Sequence, residues 1–415
     1  MADMGVRFLA RDLVRAFVEN NATGFVEWPL TNGAYDHLPF MDNILPSLST
    51  QPWSGHYEIG THVWAFAHHT QFAHPGYLYD RAASRILAHG GSVVTRRSPD
   101  GKHFASVIET VPCDDMPVGP SDDIRYQHDF RCPNRTDAAQ WVSLKVPAGI
   151  TKVAVWVSNT TSDTDHAAWF LRQADLQAAD GVVSLSVAPC RLVTVTSHLD
   201  KGVKGSYPAP PAATKFPLPF AVNWSRPSAK YHSVPRFLLD QRGVFEVTQT
   251  ESHGLALRQA VTQSEVVWIP GPTNPITIVG DWDWTSYRVS AAVIVPQPSA
   301  SDAAPHVAIG GLVNSSGIGA NGNQPDSGVF LHAGGSSWSL QHATGRVLRN
   351  GTLPAANSPW RELSLTFGAG GTIVAAVDGE AVASVADGTY PNGWAALGCG
   401  WNECLFQSMR IEALQ

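Results

Sequence analysis

Charged side chains are scarce in this sequence. Asp, Glu, Lys and Arg supply 15% of its 415 residues while hydrophobic residues supply 44%, a balance that argues against disorder and suits globular, β-rich domains with many turns. The formal charge of -7 and the pI near 6.1 offer no basic footprint for nucleic acid, so nucleic-acid binding is set aside. No run of eighteen or more apolar residues occurs, and no transmembrane segment is expected. Cysteine is equally thin: five in the chain, an odd number that does not fix the redox compartment. Cys399 and Cys404 are close enough in sequence for a local bridge, with two buried free thiols as the alternative. Gly-X-Ser-X-Gly is missing, Cys113 and Cys132 lie in loop-like sequence, and the glycines from Gly317 to Gly322 lack the lysine of a phosphate loop, which removes the usual serine, cysteine and nucleotide chemistries.

No cleavable leader is expected from the first residues either. Arg7, Arg11, Asp12 and Arg15 interrupt any apolar stretch after Met1, which alone would suggest a cytosolic protein. Six Asn-X-Ser/Thr sequons point to the secretory route instead, at Asn21, Asn134, Asn159, Asn223, Asn314 and Asn350.

The length exceeds what one hydrophobic core supports, so two or three domains are expected. Val6, Leu9, Ala10, Leu13 and Phe17 recur at helical spacing, with Arg7, Arg11, Asp12, Arg15 and Glu19 on the other faces. Gly24–Trp28 reads as a short buried strand stopped by Pro29. Val63, Phe66, Ala67 and Thr70 predict a second helix, ended by Pro75-Gly76. Beyond Tyr77 the texture changes to short β-prone runs that suggest an antiparallel sandwich. Residues 201–235 are proline-rich and aperiodic, the mark of an extended linker. A second all-β region follows, with longer strands such as Tyr287 to Val295 and Thr372 to Val377, as in a lectin-type jelly roll.

Three blocks carry a family resemblance. Pro52-Trp53-Ser54-Gly55-His56-Tyr57 with His69-Thr70-Gln71-Phe72 resembles the end of the catalytic barrel in the galactocerebrosidase (galactosylceramidase) family of glycoside hydrolases. Gly205-Ser206-Tyr207-Pro208 resembles that family's inter-domain linker, and Asp240-Gln241-Arg242-Gly243-Val244-Phe245-Glu246 with Leu257-Arg258-Gln259 resembles the start of its lectin domain. The resemblance implies a mostly β chain: a C-terminal remnant of a (β/α)8 TIM barrel over 1–76, an antiparallel β-sandwich over 77–200, the proline-rich linker over 201–235 and a lectin-like, concanavalin-type jelly roll over 236–415. A single strand and two helices would leave a strand edge and an apolar helix face uncovered, which also suggests that the barrel is incomplete.

Hydrolysis with retention needs two carboxyl groups facing each other across the anomeric carbon. The resemblance places both family glutamates upstream of Met1, so no catalytic residue is assigned in this chain. Glu27 sits where barrel active sites are built, yet no second carboxylate faces it, and Glu58 and Glu109 have no better claim. Substrate-binding roles are implied for Arg125, whose planar guanidinium can hold two sugar oxygens, with Arg131 as a competitor. Trp28 matches a family tryptophan that meets the sugar's C–H face, or else closes the barrel mouth. Phe40 stands at a family tyrosine position, without the hydroxyl. Trp268 resembles a lectin-domain tryptophan near the active-site entrance, with ordinary strand packing as the alternative.

His56, His62, His68, His69 and His74 do not follow a zinc-ligand spacing. The family's lectin domain carries calcium, but uncharged residues stand at Leu218 to Val222 and near Gln407 where aspartates are expected; no metal and no cofactor is expected. The implied activity is removal of terminal β-galactose from galactosphingolipids in a lysosomal or secretory compartment, with a small lipid-presenting activator protein as partner. The rival is a non-catalytic galactoside- or glycolipid-binding, lectin-like protein.

Overall fold

The structure is a computed structural model that describes residues 5–26, 32–33, 47–48, 52–57, 59–111, 138–161, 165–206, 208–226, 235–264, 266, 272–299, 304–314, 318–319, 322–323 and 326–414. It divides into two compact units, one of Met1–Ala34, Asp42–Ser49 and Tyr57–Pro211, the other of Tyr35–Met41, Thr50–His56 and Ala212–Gln415.

In the first unit the helices are α1 (Gly5–Asn20) and α2 (His62–Thr70). Its main strands are β1 (Ser92–Arg97), β2 (Phe104–Glu109), β3 (Gln140–Lys145), β4 (Lys152–Asn159), β5 (Val182–Val187) and β6 (Arg191–Thr196). Strands β4, β6, β2 and β1 lie side by side in that order in an antiparallel sheet, and β3 and β5 pair separately. Because successive residues of a strand point to opposite faces, the sheet has two cores. Val93, Ile108, Val155 and Val195 pack with Val142 and Val183 of the β3–β5 pair, while Val94, Val107 and Leu192 receive Leu9, Leu13, Val14 and Phe17 of α1.

That second core corrects the expectation of an uncovered helix face: the sandwich sheet covers it. Two further expectations change. Gly24–Val26 forms no strand, with Phe25 and Val26 exposed, since a strand needs a neighbouring ladder and none of the described residues supplies one; Glu27 and Trp28 lie outside the described residues. Arg11 and Arg15, expected on faces of α1 other than the apolar one, are buried as well.

The second unit is two packed sheets. Its strands are β7 (Phe220–Asn223), β8 (Leu239–Arg242), β9 (Phe245–Thr250), β10 (Gly254–Gln259), β11 (Ile276–Val279), β12 (Tyr287–Ile294), β13 (Val307–Val313), β14 (Val329–Gly334), β15 (Ser337–His342), β16 (Val347–Thr352), β17 (Trp360–Gly368), β18 (Thr372–Val377), β19 (Glu380–Ala386), β20 (Trp394–Cys399) and β21 (Cys404–Ala413). One sheet runs β9-β10-β21-β12-β17-β18-β19, with β7 of the proline-rich segment added to β21; the other runs β8-β11-β20-β13-β14-β15-β16. All pairings between these strands are antiparallel. Leu363, Leu365 and Phe367 of β17 and Ile309, Leu331 and Leu340 of the facing sheet share one core, as in a lectin-type sandwich. Trp53 of the Pro-Trp-Ser-Gly-His-Tyr block belongs to this unit: its Nε1 donates to the Thr214 carbonyl at 2.8 Å and its ring meets Phe216 edge-on.

Candidate functional site

Trp28, Phe40, Arg125 and Trp268 all lie outside the described residues, as do Glu58, Arg131, Cys113 and Cys132. Glu109, one of the three carboxylates weighed for catalysis, is described and fully buried at the end of β2. Arg15 Nε donates to its Oε1 at 3.2 Å and Ser92 Oγ at 2.6 Å, while the Val111 amide donates to Oε2 at 2.9 Å. Both oxygens are therefore committed, and the side chain ties α1 to the sheet. Gly91, at φ +86°, makes this possible, because a Cβ there would fall 2.2 Å from the Glu109 carbonyl oxygen.

The α2 histidines are also structural. Ser158 Oγ accepts from the Phe170 amide at 2.7 Å and Thr194 Oγ1 donates to the His68 carbonyl at 2.9 Å. These bonds orient both hydroxyls, so His68 Nδ1–H donates to Thr194 at 2.7 Å and its Nε2 accepts from Ser158 at 2.8 Å. Burial lowers the His68 pKa to about 3 and that of His62 to about 4. His69 Nδ1 accepts from Arg96 Nη2 at 2.6 Å, and burial, then the Arg96 charge, hold the ring well below its ordinary range. Among the described residues no group of three or more His, Cys, Asp or Glu side chains is placed to hold a metal ion.

The second unit brings together polar residues that sequence reasoning did not single out. On its seven-stranded sheet, Gly398, Ala308, His332, Ser339 and Asn350 are cross-strand neighbours in one transverse row. The next row holds Ala396, Gly310, Phe330 and Gln341. Inward positions of the same strands, such as Leu331 and Leu340, fill the core, so alternation sends these rows to the opposite face. Small residues keep part of the row low: a Cβ on Gly310 would lie 2.4 Å from Phe330 Cε1, showing that the ring rests against that backbone.

Gln341 is the hinge of the polar part. Its Nε2 can only donate, and it lies 3.2 Å from His332 Nε2; the imidazole accepts there and carries its proton on Nδ1. Burial, with the nearby His306 a smaller cause, takes His332 down to about 3 and keeps it neutral. His306 and His332 stack with centroids 4.5 Å apart. The groove above has a volume of about 740 Å3, lined by His306, His332, Ser339, Gln341 and Asn350, with Pro298 and Pro305 as an apolar wall. No Asp, Glu, Lys or Arg is among its described lining residues. Cys399 and Cys404 form a disulfide, settling the open alternative for that pair, and Cys404 Sγ lies 3.2 Å from the His306 carbonyl.

An antiparallel sandwich carrying helices, together with a two-sheet lectin-type sandwich bearing a polar groove, defines a mostly β protein of the lectin-bearing class. Residues 1–71 match the model described as glycosyl hydrolase family 59, and residues 240–414 match that described as galactocerebrosidase, C-terminal lectin domain. Over these two segments the chain is similar to the galactocerebrosidase family. It is 28% identical to galactocerebrosidase of Salmo salar over 97% of this chain and 59% of the relative, and 28% identical to that of Homo sapiens over 99% and 59%. The chain thus spans about three fifths of the length of the curated relatives it matches. Among solved structures, carbohydrate binding module CBM66 from Bacillus subtilis matches 43% of this chain and 96% of its own at 11% identity and TM-score 0.31. The Emp47p carbohydrate recognition domain matches 49% and 98% at 10% identity and TM-score 0.33.

Proposed function

We propose that this chain is part of a retaining glycosidase that removes terminal β-galactose from galactosylceramide and related galactosphingolipids in an acidic, lysosome-like compartment. The observation that carries the reading is the extent of the likeness: it covers 97% and 99% of the chain in the Salmo salar and Homo sapiens galactocerebrosidases, and is not confined to the lectin domain. The chemistry would run through two glutamates upstream of Met1. One attacks the anomeric carbon as the galactosyl–oxygen bond breaks, and the other protonates the departing ceramide oxygen and then activates water to release galactose. A small lipid-presenting activator protein would deliver the membrane substrate. The Cys399–Cys404 bridge suits an oxidising compartment on the way there.

In this reading Arg125 and Trp28 hold the galactose, with Phe40 and Trp268 at the rim. Arg125→Ala in the catalytically complete protein is expected to lower galactosylceramide turnover about 100-fold or more, the scale of a lost positioning contact, without lowering the melting temperature. Near-normal turnover removes Arg125 from the site. The rival, a galactoside-binding protein without catalysis, is favoured by the structural commitment of Glu109 and by the polar groove. A protein from its natural source that binds galactosylceramide but releases no galactose would establish it.

A further inference from the structure

The groove on the seven-stranded sheet has the chemistry of a sugar site. Its polar groups sit in one row fixed by strand register: His332, Ser339 and Asn350 on three adjacent strands, with Gln341 beside them bonded to His332. A carbohydrate hydroxyl both donates and accepts. The row offers both kinds of partner, a ring N–H at His332 Nδ1, a hydroxyl at Ser339 and an amide at Asn350. The first of these is held as a donor because Gln341 occupies the other ring nitrogen and burial keeps the imidazole neutral.

The lining also argues against other ligands. None of its described lining residues is Asp, Glu, Lys or Arg, so none of them would neutralise a phosphate, a carboxylate or an ammonium group, although Asp326 lines the adjoining pocket with His306, His332 and Gln341. A neutral polyol desolvates at lower cost, and its C–H groups have an apolar surface to meet in Pro298 and Pro305. Rigidity comes from the sheet itself, since every one of these side chains except His306 and the two prolines stands on a strand with two paired neighbours or on β16 at the end of the order.

We propose that this groove binds the terminal pyranose of a neutral glycan, with His332, Ser339, Gln341 and Asn350 as its hydrogen-bonding set. The site does not depend on the hydrolase reading, because occupancy here needs no turnover. Binding is weak for a single hexose, as an open groove fed by a few hydrogen bonds gives.

The test uses the full chain made without N-glycans in an oxidising host, so that Cys399–Cys404 forms and Asn350 is bare. Methyl β-D-galactopyranoside, methyl β-D-glucopyranoside and methyl α-D-mannopyranoside are titrated separately and followed by saturation-transfer NMR. At least one is expected to bind saturably, and Gln341→Ala and Ser339→Leu are each expected to weaken it up to about tenfold, the upper range for one lost hydrogen bond. Thermal melts accompany both variants, and the one that keeps the wild-type melting temperature decides the matter should the other unfold. Failure of all three glycosides to bind, or unchanged affinity in a folded variant, overturns the site. Groove occupancy is read here without turnover, whereas the hydrolase reading is tested by galactose release from the catalytically complete protein, so the two readings fail separately.

Discussion

Replacing Glu109 by alanine is expected to destabilise the first unit by about 3–5 kcal/mol, the range for breaking a buried ion pair from one side. The carboxylate is fully buried and accepts from Arg15, Ser92 and the Val111 amide. Its removal takes one carboxylate from buried Arg15, which keeps Glu19, four residues along α1, at 3.2 Å, and takes from buried Arg11 an anion that offsets the charge of Arg15. Glu109→Gln keeps the shape but not the charge, so it is expected to recover only part of the loss. Urea unfolding followed by circular dichroism reads the effect. A loss below about 1 kcal/mol, the value of a solvated surface pair, would show that the network does not anchor α1.

The second large effect is on acid stability. Burial holds His68 near 3, His62 near 4 and His69 well below the ordinary value of 6.5, and burial together with Lys201 holds His198 near 4. All four belong to the first unit. Each is neutral when folded and takes up a proton when unfolded, so its stabilisation is complete above pH 6.5 and is lost as pH falls toward the folded value. At about 1.4 kcal/mol per pH unit, His68 alone costs roughly 2–3 kcal/mol between pH 6.5 and pH 4.5. Asp100 and Asp175 are held below the carboxylate range by hydrogen bonds and cations and titrate below this window. In the second unit Asp240 and Asp281 are pushed up by burial, which opposes the contribution of His332. The expected result is two transitions in urea, with the first unit's midpoint falling steeply from pH 7 to 4.5 and the second unit's much less. His68→Gln is expected to flatten the first by about one proton. A first-unit midpoint that does not move with pH would contradict the buried, neutral histidines.

Strands that alternate cleanly were legible. Thr372–Val377 was predicted with its observed bounds, and Tyr287 to Val295 differs from β12 by one residue. Strands rich in alanine or polar residues were not, as with Glu380–Ala386, Ser337–His342 and Val347–Thr352, because half-exposed sheet positions accept residues that carry little β signal. The Asp378-Gly379 pair is the cue that was passed over. Both residues have positive φ and they close a two-residue hairpin between Val377 and Glu380, the arrangement that Asp-Gly favours. The burial of Arg15 was not legible because its partner lies far along the chain, Glu109 being 94 residues away. The groove was hidden for the same reason, since Gly398, Ala308, His332, Ser339 and Asn350 become a row only through register on five strands. Motif wording did better than periodicity for the family, where the Asp240 block falls at the start of the matched lectin domain.

The central claim is that this chain serves a retaining hydrolysis of galactosphingolipids. Its most direct test is to incubate the protein from its natural source with galactosylceramide at acidic pH and follow the first-formed galactose by proton NMR. The account predicts release of galactose initially as the β-anomer, with glucosylceramide turned over far more slowly. Initial release of the α-anomer would contradict retention, and no galactose release would contradict the hydrolase reading altogether.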